Sequence, residues 1–234
     1  MTIAVISDLH LGARPSTDSF GHDDTEFLRF LRFLENNFQR VVLLGDIWET
    51  LTSPLPREHA NELALARARH RELAVQLSRP RFSYVHGNHD LVAGREGVPS
   101  ELRLQIRGVR FLFAHGHQSD ALVMRARPIS ELGVCLGGWI RRAGLGAAYR
   151  FFSRLDEVRS RHARSDRVSQ VETWAVHHAQ QSEADVVVTG HTHRARRSEH
   201  GETLFMNSGS CSEGKISFLS LDPARGRYEV HDSY

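Results

Sequence analysis

The sequence contains little cysteine, a single lysine and no long apolar run. Two cysteines among 234 residues exclude a fold held together by several disulfide bonds. No run of about eighteen apolar residues occurs, so the sequence predicts no membrane-spanning helix. The first twelve residues lack a basic region followed by an apolar core, which predicts that no secretory signal peptide is present. We therefore expect a cytoplasmic protein.

The residues that are present indicate a globular chain with an unusual choice of basic side chains. Apolar residues make up 40% and charged residues 25%, which excludes a fibrous or wholly disordered chain. Of the 30 basic residues, Lys215 is the one lysine and the others are arginine. Fifteen histidines are present, and histidine is a frequent metal ligand and general acid or base. Their positions are therefore informative about function.

The hydrophobic pattern predicts a mixed α/β chain. Short apolar runs predict strands at 3–7, 41–44, 82–86, 102–106, 110–114 and 185–189, with closing antiparallel strands at 203–206, 215–221 and 227–231. Helical periodicity predicts helices at 26–38 and 59–78. Residues 119–183 show helical patterns almost throughout. We therefore predict one domain over 1–234 that carries a helical, cap-like insertion at about 119–183.

Residues with metal-binding side chains follow five of the predicted strands. In open α/β sheets ligands bind beyond the carboxyl ends of the strands, so side chains placed there meet at one edge. Imidazole, carboxylate and amide groups together suit transition metals such as manganese, iron and zinc. Such a set would hold two divalent cations about 3.5–4 Å apart. The residues concerned are Asp8, His10, Asp46, Asn88, His89, His115, His191 and His193.

The order of these residues resembles that of a known superfamily. The motifs are Asp8-Leu-His10, Gly45-Asp46, Gly87-Asn-His-Asp90, His115-Gly116 and Gly190-His-Thr-His193. In this order they resemble the motifs of the calcineurin-like metallophosphoesterase superfamily, and they span most of the chain. The resemblance implies an α/β fold arranged as a four-layer α/β/β/α sandwich with a dinuclear metal centre.

The resemblance also implies a role for each motif residue. Asp8, His10 and His193 would hold the first metal. Asn88, His115 and His191 would hold the second, and Asp46 would bridge both. His89 would contact the scissile phosphate, either as the acid that protonates the leaving group or as a phosphate-binding residue alone. Asp90 would orient His89 by accepting its ring N–H. We expect Mn²⁺ as the cation, with Fe or Zn²⁺ as alternatives.

Three further residues are candidates for substrate contact. Arg14 follows the first motif and could bind a phosphate, or it could be a solvated loop residue. Trp48 follows Asp46 and could line the substrate pocket or pack in the interior. His117 lies two residues beyond His115 and could contact substrate or only support the ligands.

The implied activity is hydrolysis of a phosphodiester, diphosphate or phosphomonoester by a metal-bound hydroxide. The expected partner is a small phosphorylated substrate, such as a nucleotide or a lipid-linked diphosphate, and no specific nucleic acid is expected. The motif layout is similar to that of UDP-2,3-diacylglucosamine diphosphatases, although His89 stands where that subgroup typically has arginine. A lipid-nucleotide diphosphatase is therefore one alternative. A non-catalytic scaffold with a phosphoesterase fold is another.

The predicted insertion is rich in arginine. Residues 121–170 contain ten arginines and four acidic residues, so this segment could attract anionic substrate or be a solvated helix surface. Its apolar part, residues 133–152, is too short and too charged to cross a bilayer. It could lie on the inner face of the membrane, wall an apolar pocket or pack two helices together.

Overall fold

Two five-stranded sheets dominate the computed structural model, which describes residues 1–53, 55–119 and 170–232. The first sheet has the spatial order β12 (Arg227–Asp232), β11 (Ser217–Asp222), β1 (Ile3–Ile6), β3 (Arg40–Leu44) and β5 (Phe82–Val85). The second has the order β6 (Glu101–Ile106), β7 (Val109–Ala114), β8 (Val186–Thr189), β10 (Thr203–Ser208) and β9 (Ala195–His200). A short parallel pair joins β2 (Leu11–Gly12) to β4 (Trp48–Glu49).

Each sheet contains three adjacent parallel strands, to which two further strands are added by antiparallel pairing. In the first sheet β1, β3 and β5 are parallel, whereas β11 and β12 form an antiparallel extension beside β1. In the second sheet β7, β8 and β10 are parallel, and β6 and β9 lie antiparallel at the two edges. The carboxyl ends of the parallel strands in each sheet therefore lie at one edge of that sheet.

Helices cover the outer face of each sheet. On the first sheet lie α1 (Asp24–Asn37), α2 (His59–Arg69) and α3 (Arg71–Leu77), and on the second lies α4, which includes residues 170–181. Single 3₁₀ turns occur at Pro56–Glu58, Leu91–Glu96 and His117–Ser119. Asp23 begins α1 because its carboxylate accepts the N–H groups of Thr25 and Glu26, which have no partner within the helix.

The side chains of β1 show how the layers form. Successive residues of a strand point to opposite faces. Ile3 and Val5 pack between the two sheets, whereas Ala4 and Ile6 pack against the helices of the first sheet. The strands of the second sheet alternate in the same way, so Phe111 and Phe113 join the central core and Leu112 packs under α4. The fold is a four-layer α/β/β/α sandwich, as predicted.

Several predicted elements differ from those in the structure. The single helix predicted at 59–78 is interrupted at His70, whose backbone leaves the helical region (ψ 47°). The strand at 203–206 was predicted to be antiparallel; β10 is antiparallel to β9 as expected, but on its other side it pairs parallel with β8. Strands β2 and β4 are two residues long and show no periodicity. Strand β9 is mostly polar and partly exposed at a sheet edge, which explains why no strand was predicted there.

The predicted insertion lies largely outside the described residues. At its C-terminal end residues 170–181 are helical, as expected. The Arg-rich segment and the apolar part at 133–152 belong to the residues that are not described, so the domain boundaries and membrane contact stay predictions. Among the helices that the structure describes, none is long and apolar enough to cross a membrane.

Candidate metal centre

The predicted ligands meet at the edge where the strands end. Asp8 and His10 follow β1, Asp46 follows β3, and His191 and His193 follow β8. Backbone hydrogen bonds of 3.0 Å fix these strand exits to one another. The Asp8 N–H donates to the Gly45 carbonyl, the His10 N–H donates to the Asp46 carbonyl, and the Gly190 N–H donates to the His115 carbonyl.

One group of ligand atoms consists of Asp8, His10 and His193, whose donor atoms all lie within 4.8 Å of one another. The Nε2 atom of His193 lies 3.1 Å from Asp8 Oδ1 and 3.4 Å from His10 Nε2. The Nε2 atom of His10 lies 4.0 Å from the same Asp8 oxygen. Two imidazole nitrogens and one carboxylate oxygen therefore surround a common point, as the ligands of one cation do.

A second group consists of Asp46, His115 and His191. The His115 Nε2 atom lies 3.1 Å from Asp46 Oδ2 and 4.0 Å from Asp8 Oδ1, so the two groups adjoin. The other ring nitrogen of His115 donates to the Leu44 carbonyl over 2.8 Å. This bond fixes the proton on Nδ1 in the neutral ring, and the Nε2 lone pair then faces the carboxylates.

Unsatisfied polar atoms indicate that the two groups fit cations. Asp8 Oδ1, Asn88 Oδ1 and His115 Nε2 are buried, and no group in the described part of the chain has the alignment to hydrogen-bond with them. A buried polar atom without a hydrogen bond costs about 1–3 kcal/mol, so such atoms are rare unless something else binds them. All three belong to the predicted ligand set. The residues present therefore fit a dinuclear site.

The backbone at the centre is unusual. Five predicted ligands have a positive φ: Asp8 (55°), His10 (52°), Asp46 (53°), His191 (68°) and His193 (56°). This left-handed region costs a non-glycine residue about 1–3 kcal/mol, and such strain is concentrated at functional sites. Strand β2 begins directly after His10 and strand β4 begins two residues after Asp46, so this short parallel pair joins the two loops.

Two glycines are required by close approach to ligands. A Cβ atom at Gly87 would lie 2.1 Å from Asp46 Oδ1, and one at Gly45 would lie 2.4 Å from His115 Nδ1. These separations are shorter than any contact that real Cβ atoms make. Any side chain at either position would displace a predicted ligand.

Burial and opposite charges together set the protonation of the centre. Burial raises the pKa of Asp8, but His193 and His115 outweigh it and lower that pKa to about 2. Burial lowers the pKa of His115, but Asp46 and Asp8 outweigh it and raise that pKa to about 9. Without cations, protons on His115 and His193 thus balance the carboxylates. Cations would replace these protons.

His89 is held by Glu49 and not by Asp90. The Nδ1 atom of His89 lies 2.8 Å from Glu49 Oε2, and the other Glu49 oxygen accepts the Leu51 N–H over 3.0 Å. Burial lowers the pKa of His89, but Glu49 and Asp46 raise it to about 10. Burial raises the pKa of Glu49, but His89 outweighs it, and together with His10 it brings that pKa to about 2. The two residues form an ion pair in which Glu49 is buried and His89 is partly exposed.

The expected contact between Asp90 and His89 is not made, because Asp90 binds backbone groups instead. Its Oδ1 accepts the Gly87 N–H over 2.6 Å, and its Oδ2 accepts the Ile47 N–H over 2.7 Å and the Tyr84 hydroxyl. Asp90 therefore joins the loop that carries Asn88 to the loop that carries Asp46. The role predicted for it belongs to Glu49.

Sequence reasoning did not single out Glu49 or Ser7. Glu49 is an acidic residue three positions after Asp46, at the kind of strand exit that carries the other predicted ligands. Ser7 donates from Oγ to Asp8 Oδ2 and is fully buried. A serine beside an aspartate gives no signal of its own in a sequence, because the orientation of its hydroxyl depends on the tertiary fold.

The three candidates for substrate contact have different surroundings. Arg14 forms an ion pair with the buried Glu62 on α2. Trp48 is 4% exposed and belongs to the core beneath the helices, which favours the packing interpretation. His117 is also buried, with its ring 5.7 Å from that of His115, and burial lowers its pKa to about 3. A neutral, enclosed His117 favours a supporting role.

Solved structures that resemble this chain match it over almost its whole length. Vps29 from Chaetomium thermophilum is 16% identical with a TM-score of 0.50, and the match covers 99% of this chain and 91% of that one. A phosphoesterase-like protein from Streptococcus pneumoniae TIGR4 is 17% identical with a TM-score of 0.48, over 100% and 92% of the two chains. An archaeal phosphodiesterase is 16% identical with a TM-score of 0.48, over 99% of each chain.

At these identities the structural likeness shows the fold alone, and no curated protein sequence gives a significant match. The sequence itself identifies the family more directly. Residues 1–195 match the family described as calcineurin-like phosphoesterase, and this match includes every predicted metal ligand. The match covers well over half of the 234 residues. The chain therefore belongs to the calcineurin-like phosphoesterase family.

Proposed function

We propose that the protein is a phosphohydrolase that uses two divalent cations to cleave a small phosphorylated substrate. The observation that carries this proposal is the convergence of the two ligand groups, which adjoin at the 4.0 Å separation of Asp8 Oδ1 and His115 Nε2. The first group would hold one cation, and Asp46, His115 and His191 with Asn88 would hold the other. When bound, such cations polarise a phosphoryl group and lower the pKa of water to near neutrality.

His89 is the residue best placed to act on the leaving group. Its side chain is 25% exposed, whereas its partner Glu49 is 8% exposed, so the imidazole is the accessible end of the ion pair. Glu49 binds Nδ1 and leaves Nε2 as the atom that would bind a phosphate oxygen or donate its proton to the leaving oxygen. Donation by a positioned acid typically contributes a factor of about 10²–10⁴ to the rate.

Asp46 is held in a way that suits a bridging ligand. Its Oδ1 accepts the His89 N–H over 2.9 Å, and its Oδ2 faces His115 Nε2 at 3.1 Å. The two oxygens of Asp46 are thus fixed by groups from two different strand exits, those of β5 and β7. Asp46 would help to hold both cations, and the backbone N–H of His89 would fix the orientation of its carboxylate.

A turnover experiment with two model substrates tests the proposal. The purified full chain is treated with chelator, reloaded with Mn²⁺, Zn²⁺ or Fe²⁺, and assayed with p-nitrophenyl phosphate and bis-p-nitrophenyl phosphate. We expect turnover that depends on the added cation and that Asp46→Asn abolishes. Asp222→Asn, a matched change in the β11–β12 turn, should leave turnover intact.

The same assay separates the enzyme from a scaffold. Turnover by the exhaustively chelated protein would refute the metal-dependent mechanism. A chain that binds cations but cleaves neither model substrate, nor any of a panel of nucleotides, cyclic nucleotides and diphosphate-linked lipids, would be a binding protein instead. The same panel would identify the substrate class and would show whether a lipid-nucleotide diphosphate is preferred.

A further inference from the structure

Two serine hydroxyls lie directly behind Asp8, between the two sheets. Ser7 follows β1 in the first sheet, and Ser208 is the last residue of β10 in the second. Both are fully buried. The Oγ atom of Ser7 donates to Asp8 Oδ2 and lies 2.7 Å from Ser208 Oγ. The metal ligand on one sheet is thus connected to the other sheet through two hydroxyl groups.

The number of available protons fixes the direction of these hydrogen bonds. Each hydroxyl has one proton to donate. The Ser7 hydroxyl faces both Asp8 Oδ2 and, at 3.2 Å, the Gly209 carbonyl, and the carboxylate is the stronger acceptor. When Ser7 donates to Asp8, the 2.7 Å contact requires Ser208 to donate to Ser7. The Thr189 carbonyl is the other acceptor near Ser208 Oγ, at the longer distance of 3.2 Å. Ser208 therefore orients Ser7, and Ser7 orients Asp8.

These hydrogen bonds determine which carboxylate oxygen of Asp8 remains available to a cation. Its Oδ2 accepts two hydrogen bonds, one from Ser7 and one of 3.1 Å from the His191 N–H. Its Oδ1 accepts none that the described residues supply, and it faces His193 Nε2 at 3.1 Å. The χ2 angle of an aspartate rotates easily between broad minima, so something must hold the carboxylate plane in place. Ser7 supplies one of the two bonds that do so.

We propose that Ser7 is a positioning residue that reserves Asp8 Oδ1 for the first cation, with Ser208 as its support from the second sheet. This inference rests on the proposed function in that it takes the Asp8 group as a cation site. Outer partners of metal ligands typically change metal affinity by about 10–100-fold when they are removed. Ser7→Ala should therefore weaken binding of one cation by about that factor. Ser208→Ala should have a smaller effect, because Ser7 keeps its own bond to Asp8.

Cation binding provides a test that does not depend on turnover. Titration of the chelated full chain with Mn²⁺ measures two dissociation constants for the wild type, Ser7→Ala and Ser208→Ala. The matched control is Ser217→Ala. Ser217 is a buried serine of the same region that donates to the Ser208 carbonyl over 2.7 Å and is not among the groups bound to Asp8. We expect one of the two dissociation constants to be highest in Ser7→Ala and lower, but still raised, in Ser208→Ala. In the control Ser217→Ala it should equal that of the wild type.

A second measurement separates positioning from damage to the fold. At saturating Mn²⁺, Ser7→Ala should regain a kcat close to that of the wild type, because its defect lies in cation affinity. Equal Mn²⁺ affinities in Ser7→Ala and the wild type would overturn the inference. An equal loss of Mn²⁺ affinity in Ser7→Ala and Ser217→Ala would overturn it as well. If Ser7→Ala does not fold, the comparison of Ser208→Ala with Ser217→Ala decides in the same way. A wild type that binds two cations but hydrolyses nothing would refute the proposed function and leave this inference standing.

Discussion

Protonated His70 should stabilise the fold in a manner that depends on pH. His70 lies at the junction of α2 and α3 and is 3% exposed. Its Nδ1 lies 2.8 Å from Asp24 Oδ1, and its Nε2 lies 3.2 Å from Asp18 Oδ2. Asp18 also accepts the N–H groups of Gly12 and Phe20, so this contact ties the helices to the loop that follows His10.

The size of the stabilisation by His70 depends on how exposed its two partners, Asp18 and Asp24, are. A hydrogen bond to a charged group contributes about 1.5–3 kcal/mol when buried, and less when the partner is solvated. Asp18 is 10% exposed and Asp24 is 38% exposed, so the ion pair with Asp18 should contribute most. We expect His70→Gln to lower the free energy of unfolding by about 2–3 kcal/mol near pH 6. In a chain of this length that is a fall in Tm of roughly 5–10 °C.

The pH dependence distinguishes this explanation from simple loss of packing. Burial lowers the pKa of His70, but hydrogen bonds to Asp18 and Asp24 outweigh it, and the pKa is raised above the ordinary 6.5. A raised histidine pKa contributes stability that is complete below pH 6.5 and is lost as the pH rises through the folded value. Burial raises the pKa of Asp18, but its contacts with His70, Phe20 and Gly12 together outweigh burial and lower that pKa, so its own contribution is lost only in acid, below 3.8. The largest difference between wild type and variant should therefore lie between pH 4.5 and 6.5.

Thermal unfolding from pH 5 to 9 checks this prediction, with chelator present so that the metal centre holds no cation in the wild type or the variants. The matched control is His178→Gln, because His178 also pairs with a carboxylate, that of Glu101 at 2.9 Å, but is 28% exposed. The control should change Tm little at any pH. The reasoning is refuted if His70→Gln lowers Tm equally at pH 5.5 and pH 9, because a charged His70 would then contribute nothing.

Three further predictions concern the metal centre. Gly87→Ala should abolish binding of at least one cation, since its Cβ would lie 2.1 Å from Asp46 Oδ1; normal binding in calorimetry would contradict the close approach. Because Asp46 and Asp8 raise the pKa of His115 to about 9, cation binding at pH 7 should release about one to two protons, and affinity should increase from pH 6 to 9. Equal binding enthalpies in buffers of different ionisation enthalpy would contradict this. Glu49→Gln should lower kcat by about 10–100-fold and shift the pH profile of kcat, whereas an unchanged profile would separate Glu49 from His89.

The order and spacing of the ligands could be read from the sequence. The positions of Asp8, Asp46 and His191 after apolar runs predicted a mixed α/β chain and the meeting of these residues at strand ends, and the resemblance of the motifs to a known superfamily implied the four-layer sandwich. The prediction of the strands and of their shared edge was possible because buried parallel strands are continuous apolar runs and because the carboxyl ends of parallel strands lie at one edge of a sheet. The hairpin of β6 and β7 was predicted for a similarly local reason, since Gly108 marks the turn.

Contacts between distant residues were decided only by the tertiary structure. The sequence placed Asp90 next to His89, yet the carboxylate that reaches the imidazole comes from Glu49, 40 residues earlier. Likewise, the hydroxyl of Ser7 forms a hydrogen bond with that of Ser208, which lies 201 residues later and in the other sheet. No periodicity in the sequence encodes the direction of either hydroxyl. Hydrophobic patterns determine which face of a strand is buried, and hence the layers. The direction of a polar side chain depends on which other strand ends lie opposite, and only the assembled sandwich determines that.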